Sequence, residues 1–274
     1  MKTSLQEKLD ILKDLNFKTY DIALATVNTF DAKRHDVNSI HFVTYELIKR
    51  FSNLVKSTNF YIDDLKKDSS YEMQIGLLLR PALLDILSFE YIIDDFIKHL
   101  IETESFDWTL LTQKTEQYLA DNIIHYVKES DRFLNDSYIK DYQHKNIHNR
   151  FEKICLDIFK KDIFLETNKY KFPSASSLFD TVKKSLILKK YAPVYYLYLH
   201  YSKYEHFGLL TKIMSNEKIN SLEDITFRLV QSYSFINKVI IDSFTLLQLK
   251  TTEMSELGKV YDAMITDFNS NQFA

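Results

Sequence analysis

Three glycines and three prolines are all that 274 residues contain, and this shortage restricts the fold more than any motif does. Sheet-rich chains place Gly and Pro in their turns, where Gly supplies positive φ and Pro presets φ at about −65°. A chain so poor in both is expected to form long helices joined by short loops. Twenty Phe and 18 Tyr supply large apolar side chains for the interior of such a structure. The expected fold is all-α, a multi-helix bundle with a long central helix.

Apolar periodicity locates the helices. Leu5, Leu9, Leu12 and Leu15 form one stripe, with Thr3 and Gln6 spaced as a capping box. Ile40, Val43, Leu47, Phe51 and Leu54 recur at steps of three and four, which predicts a second helix ending near Lys66–Asp68. Ser69 and Glu72 read as the capping box of a third, spanning about residues 70–101 and apolar on more than one face. That helix is the expected central one, and Pro81 lies inside it, where it either bends the axis or marks a new first turn. Further helices are expected over 107–128, 151–164 and 178–190. Others are expected after Pro193, over a stripe from Leu229 to Leu247 begun by a Ser221–Asp224 cap, and over 253–267. Gly208 is the expected end of the helix begun at Pro193. Residues 131–150 read as either a loop or a surface helix. Residues 168–177, with Pro173 and three serines, form the longest turn-like segment. One helical domain over 1–274 is expected, with a sub-boundary near 168–177.

Charge and cysteine usage exclude several classes. The formal net charge of −3 argues against a broad nonspecific DNA-binding surface, although it leaves room for a local basic patch. Cys155 is the only cysteine, so an intrachain disulfide is impossible and a thiolate metal cluster is excluded. It lies in an apolar-periodic stretch and reads as a buried, inert thiol. Apolar runs are too short to span a bilayer, which takes about 20 residues. The amino-terminal residues lack the pattern of a secretory signal, so a cytoplasmic location is expected. Di-iron Glu-x-x-His pairs, a glycine-rich phosphate loop and a Gly-x-Ser-x-Gly elbow are all missing. Asp95 and His99 have helical spacing, but a surface pair explains them equally well. Neither a metal nor a cofactor is called for.

Two polar features remain. Tyr198, Ser202 and His206 follow one another at four-residue steps, which on a continuous helix makes a polar column that Tyr195 extends. An imidazole can move protons near neutral pH, and neighbouring hydroxyls can orient a substrate or a water. The plainer alternative is a set of bonds tying helices together. Arg80 is the second feature, a charge within a largely apolar run. It must be paired, reach solvent or hold an anion, and Asp85, Glu90, Asp94 and Asp95 are its candidate partners.

An early Arg on a hydrophobic helix, followed much later by Tyr198, Ser202, Tyr204 and His206, resembles a helical bacterial and phage family catalogued as domain of unknown function 5677. The general shape of that family resembles the HEPN helical bundles. The family's acid four positions after the arginine is replaced here by Leu84, and Asp85 follows one position later. The resemblance covers about residues 39–250 and implies a helical bundle, with a homodimer among the expectations. HEPN nucleases use an Arg, four to six residues, then a His. Arg34–His35 is too close for this, and Arg50, Arg80, Arg132, Arg150 and Arg228 lack a histidine at that distance.

Two functions follow as expectations. The leading one is a noncatalytic helical protein acting through contacts with a protein or RNA partner, in a bacterial defence or stress setting. The alternative is an HEPN-like enzyme acting on RNA or another phosphate-containing substrate. In it Arg80 would hold the anion, His206 would transfer protons, and Tyr198 or Ser202 would position the reacting group.

Overall fold

The computed structural model describes residues 4–134, 147–165, 171–185, 188–203, 221–249 and 251–272. All regular structure in these residues is helical. Among the described residues ten α-helices follow in order: α1 (Leu5–Thr29), α2 (Ile40–Asn59), α3 (Tyr61–Leu65), α4 (Tyr71–Thr103), α5 (Trp108–Leu134), α6 (Ile147–Phe159), α7 (Ala175–Lys184), α8 (Pro193–Ser202), α9 (Leu222–Leu246) and α10 (Thr252–Gln272). Short 3-10 turns occupy Ala32–Arg34 and Leu188–Tyr191. No described helix is long and apolar enough to cross a membrane.

Packing divides the chain into two compact units. One comprises Met1–Asp31, Thr44–Tyr91 and Ala175–Ala274; the other comprises Ala32–Val43 and Ile92–Ser174. The return of the chain to the first unit at Ala175 falls within the segment singled out by its turn composition.

In the first unit α9 packs against α1 and α10. Every residue from Gln231 to Ile241 is buried. The sequence predicts an amphipathic helix here, because Gln231, Ser232, Ser234, Asn237 and Lys238 interrupt the apolar pattern. They are buried nonetheless, each with at least one of its polar atoms bonded. Ser232 and Ser234 donate to carbonyls four residues back. Asn237 donates to Asn16 Oδ1 at 2.7 Å, and Asn16 in turn donates to Asn59 at 3.0 Å. Lys238 contacts both carboxylate oxygens of Asp242 at 2.5 Å. Buried polar groups are tolerated when they are bonded in this way.

α4, at 33 residues the long helix of the bundle, carries Pro81 without ending there. Its first turn differs from the predicted capping box. Asp68 Oδ1 accepts the Ser70 amide, and the Glu72 carboxylate turns inward to another partner described below. The box of α1 lies one residue later than predicted, with Ser4 and Glu7 bonding each other's backbone amides. The predicted Ser221–Asp224 box of α9 forms. The second predicted helix breaks at Phe60 into α2 and α3.

The second unit has a core between α5 and α6 in which Ala120, Ile124, Cys155, Phe159 and Ile163 are buried together. Burial pushes the Cys155 thiol up to about 11, which keeps it protonated and unreactive at neutral pH. Scarcity of glycine shows at the helix ends. Glu104, Lys160 and Gln248 adopt positive φ of 55°, 54° and 57° just beyond α4, α6 and α9, the position where Gly is usual.

Candidate functional site

Glu72, Gly76 and Arg80 stand four residues apart on α4, so they form one stripe along the helix. α8 lies across that stripe. Pro193 occupies its first turn, where the missing amide costs nothing. At the crossing the Tyr201 ring rests directly on Gly76. A Cβ at Gly76 would stand 2.2 Å from Tyr201 Cδ1, far inside van der Waals contact. Tyr201 is fully buried, and its hydroxyl lies 3.5 Å from Ser232 Oγ on α9.

Each side of this crossing holds an arginine. On one side Arg80 Nε donates to Ser202 Oγ at 2.9 Å, and its Nη2 donates to Tyr198 Oη at 3.3 Å. The guanidinium carbon is 5.1 Å from the centre of the Tyr198 ring, within cation–π range. Arg80, Tyr198 and Ser202 are all half-buried, so solvent reaches the group. On the other side Glu72 is only 1 % exposed. Its Oε1 accepts from Arg228 Nε and Nη2, both at 2.8 Å, and His200 Nε2 is 3.6 Å from the same oxygen. Arg228 and Ser232, four apart on α9, complete a seam of three helices.

Thus Arg80, Tyr198 and Ser202 converge across separations of 118 and 122 residues. His206, the fourth predicted member, lies outside the described residues, as does Gly208. Ser202 Oγ spends its proton on the Tyr198 carbonyl at 2.7 Å and accepts from Arg80, so it is held as an acceptor. Asp85, read as a candidate partner of Arg80, pairs instead with Arg50 at 2.5 Å. Burial outweighs Arg50 and raises the Asp85 carboxyl to about 6. Asp94 pairs with Lys98 and Asp95 with Lys114. Among the described residues no group of three or more His, Cys, Asp or Glu side chains is arranged to hold a metal.

Beyond Tyr198 the site continues as a row of rings. Tyr195 is nearly parallel to Tyr198, with centroids 6.3 Å apart and planes at 20°. Phe179 of α7 stacks on Tyr195 at 4.5 Å and 18°. Lys183, one turn further along α7, places Nζ 5.6 Å over the Phe179 ring. Arg80 and Lys183 therefore cap the two ends of the row. Tyr196, 51 % exposed, meets Phe179 edge-on at 5.7 Å. Residues 175–203 contain Lys183, Lys184, Lys189, Lys190 and Lys203 against a single carboxylate, Asp180, a local basic excess in a chain of net charge −3.

Sequence reasoning missed Glu72, which has the spacing of a cap, and Arg228 and His200, which belong to no motif. It also missed Phe179 and Lys183, although their four-residue spacing beside a Lys-rich, Tyr-rich stretch was the available signal. One spacing was overlooked as well. Arg34 and His41 have six residues between them, the HEPN interval. His41 stacks on His35 at 5.0 Å and meets Trp108 at 5.1 Å, and burial, with His35 second, lowers its pKa.

No protein-family model, curated protein or solved structure matches the chain.

Proposed function

We propose that the protein acts by binding, and that its partner is single-stranded RNA held on the ridge formed by α7, α8 and Arg80. The observation that carries this reading is the row Lys183–Phe179–Tyr195–Tyr198–Arg80, stacked rings with a cation at each end. Proteins that take up single strands combine backbone-tracking cations with aromatic side chains for the bases. Here the exposed Tyr196 offers its ring to a base, while Lys183 and the half-exposed Arg80 face phosphates. The internal stacking makes the ridge rigid before a partner arrives, which lowers the ordering cost of binding. Because the Ser202 proton is engaged by the Tyr198 carbonyl, the hydroxyls position Arg80 rather than attack a substrate. This reading takes the noncatalytic alternative among the two functions expected from the sequence.

The test is fluorescence anisotropy with a labelled oligouridylate over a range of salt concentrations. Lys183→Gln and Arg80→Gln should each weaken binding, and each should lessen the slope of log K against log salt by about 0.7, the value for one phosphate contact to a single strand. Tyr196→Ala should weaken binding without changing the slope. Identical affinities for the wild type and the Lys183→Gln/Arg80→Gln double variant would sink the reading.

A second reading is an RNA-cleaving enzyme, favoured by the Arg34–His41 interval. The lowered pKa of His41 keeps its imidazole neutral at pH 7, as a general base must be. The same oligonucleotide, incubated and run on a denaturing gel, separates the two. Cleavage by the wild type that is lost in His41→Ala supports the enzyme, whereas intact RNA throughout removes it.

A further inference from the structure

A pocket of about 470 Å³ opens between α1, α9 and α10, with Leu5, Ile11, Phe227, Val230, Met264 and Gln231 in its wall. Its size lies within the range typical of small-molecule sites. Five of the ten lining side chains are apolar, Lys8, Glu223, Asp224 and Thr226 stand at its edge with Gln231, and Ile11 remains 51 % exposed, so an apolar patch within a polar border is open to solvent.

Gln231 gives the pocket its chemistry. It is 3 % exposed, and its Nε2 donates to the Met264 carbonyl at 3.3 Å. That bond fixes which end of the amide is which. Oε1 is then an acceptor, buried and without a hydrogen-bond partner among the described residues. Natural structures leave few such atoms, and each one calls for a reason. Simple packing would be served better by Leu or Met at this position, since neither carries an acceptor to be stranded. Met264 makes the neighbouring wall adaptable. Its thioether, 3.5 Å from Ser234 Oγ, sits on an unbranched chain that changes shape readily.

We infer that this pocket binds a small, mostly apolar molecule carrying one N–H or O–H donor, which Gln231 Oε1 accepts as the Met264 side chain shifts aside. The site is separate from the RNA ridge, and none of its lining residues belongs to that ridge, so either assignment can fail alone.

Indole and benzofuran form a matched pair of probes, equal in shape and differing in the N–H. Five methionines give a simple methyl NMR spectrum of ¹³C-methyl-labelled protein, in which Met264→Leu identifies the Met264 signal. Indole should move that signal along a saturable curve, and benzofuran should bind about tenfold more weakly, the fold-change expected of one hydrogen bond to a neutral acceptor. Gln231→Met, similar in volume but without an acceptor, should erase the difference between the probes. Val230→Trp, at a half-exposed position that tolerates size, should abolish binding of both. A Met264 signal that does not move with indole overturns the inference. Equal affinity of the two probes for the wild type, or an unchanged preference in Gln231→Met, overturns it as well.

Discussion

Two arginines flank the point where α8 crosses α4, and they are held in opposite ways. Arg228 puts two N–H groups on one oxygen of a carboxylate that is sealed from water. Arg80 donates to two hydroxyls and lies against a ring at a half-exposed position. A carboxylate partner neutralises the charge and locks it in place. Hydroxyls and a ring face orient a guanidinium through weaker contacts than a sealed carboxylate makes. The seam thus holds one arginine sealed against a carboxylate and one half-exposed beside hydroxyls and a ring.

This contrast can be broken by experiment. Arg228→Met strips the buried Glu72 carboxylate of its two guanidinium donors, and urea denaturation should show a loss of about 3–5 kcal/mol. Adding Glu72→Leu to that variant should recover much of the loss, because the buried charge is then gone. A cost for Arg228→Met no larger than that for Arg80→Met would remove the distinction between the two arginines.

Gly76→Ala comes next. Alanine is the better helix former, yet its Cβ would meet the Tyr201 ring. A destabilisation of about 1–3 kcal/mol is expected from overpacking, relieved by adding Tyr201→Leu. Unaltered stability in Gly76→Ala would mean that α8 does not rest on α4 as described.

Arg80→Gln should cost less than about 1.5 kcal/mol, the scale of one net hydrogen bond, while lowering RNA affinity. A large stability loss with unchanged affinity would reassign Arg80 to the fold and reverse the comparison.

Asp85 gives the smallest effect and a pH signature. The folded chain keeps its proton up to about pH 6, whereas the ordinary carboxyl releases it near 3.8. Unfolding therefore releases protons between those values, and the stability contributed by this group falls as pH rises through the window. Asp85→Asn should match the wild type at acid pH and exceed it at pH 7 by on the order of 1 kcal/mol, after allowing for solvent at its exposed edge. A wild type whose stability rose relative to Asp85→Asn over that window would contradict the burial of Asp85.

How much of this was legible in the sequence follows from what sequence patterns record. Helices were legible because apolar spacing is local, and α9 was found although its burial was not. Ser232, Asn237 and Lys238 look solvent-facing until their partners are placed by other helices. Arg80, Tyr198 and Ser202 could be singled out because a charge in an apolar run and hydroxyls at four-residue steps are unusual within their own segments. Glu72 could not, since a Glu three residues after Ser has the ordinary spacing of a cap and its actual partner lies 156 positions away. The Phe179–Tyr195 stack was hidden for a similar reason, because it joins two helices whose relative placement only the fold decides.

The seat of Tyr201 on Gly76 also dictates an order of events in time. A ring that fits at one backbone position admits a single register for α8 along α4, so docking there cannot proceed by gradual sliding. Tyr201 follows Gly76 by 125 positions, and closing so long a loop before the contact forms is entropically slow. The seam is therefore expected to close late in folding. The basic, tyrosine-rich ridge then becomes continuous with Arg80 only in molecules whose helical scaffold is already complete.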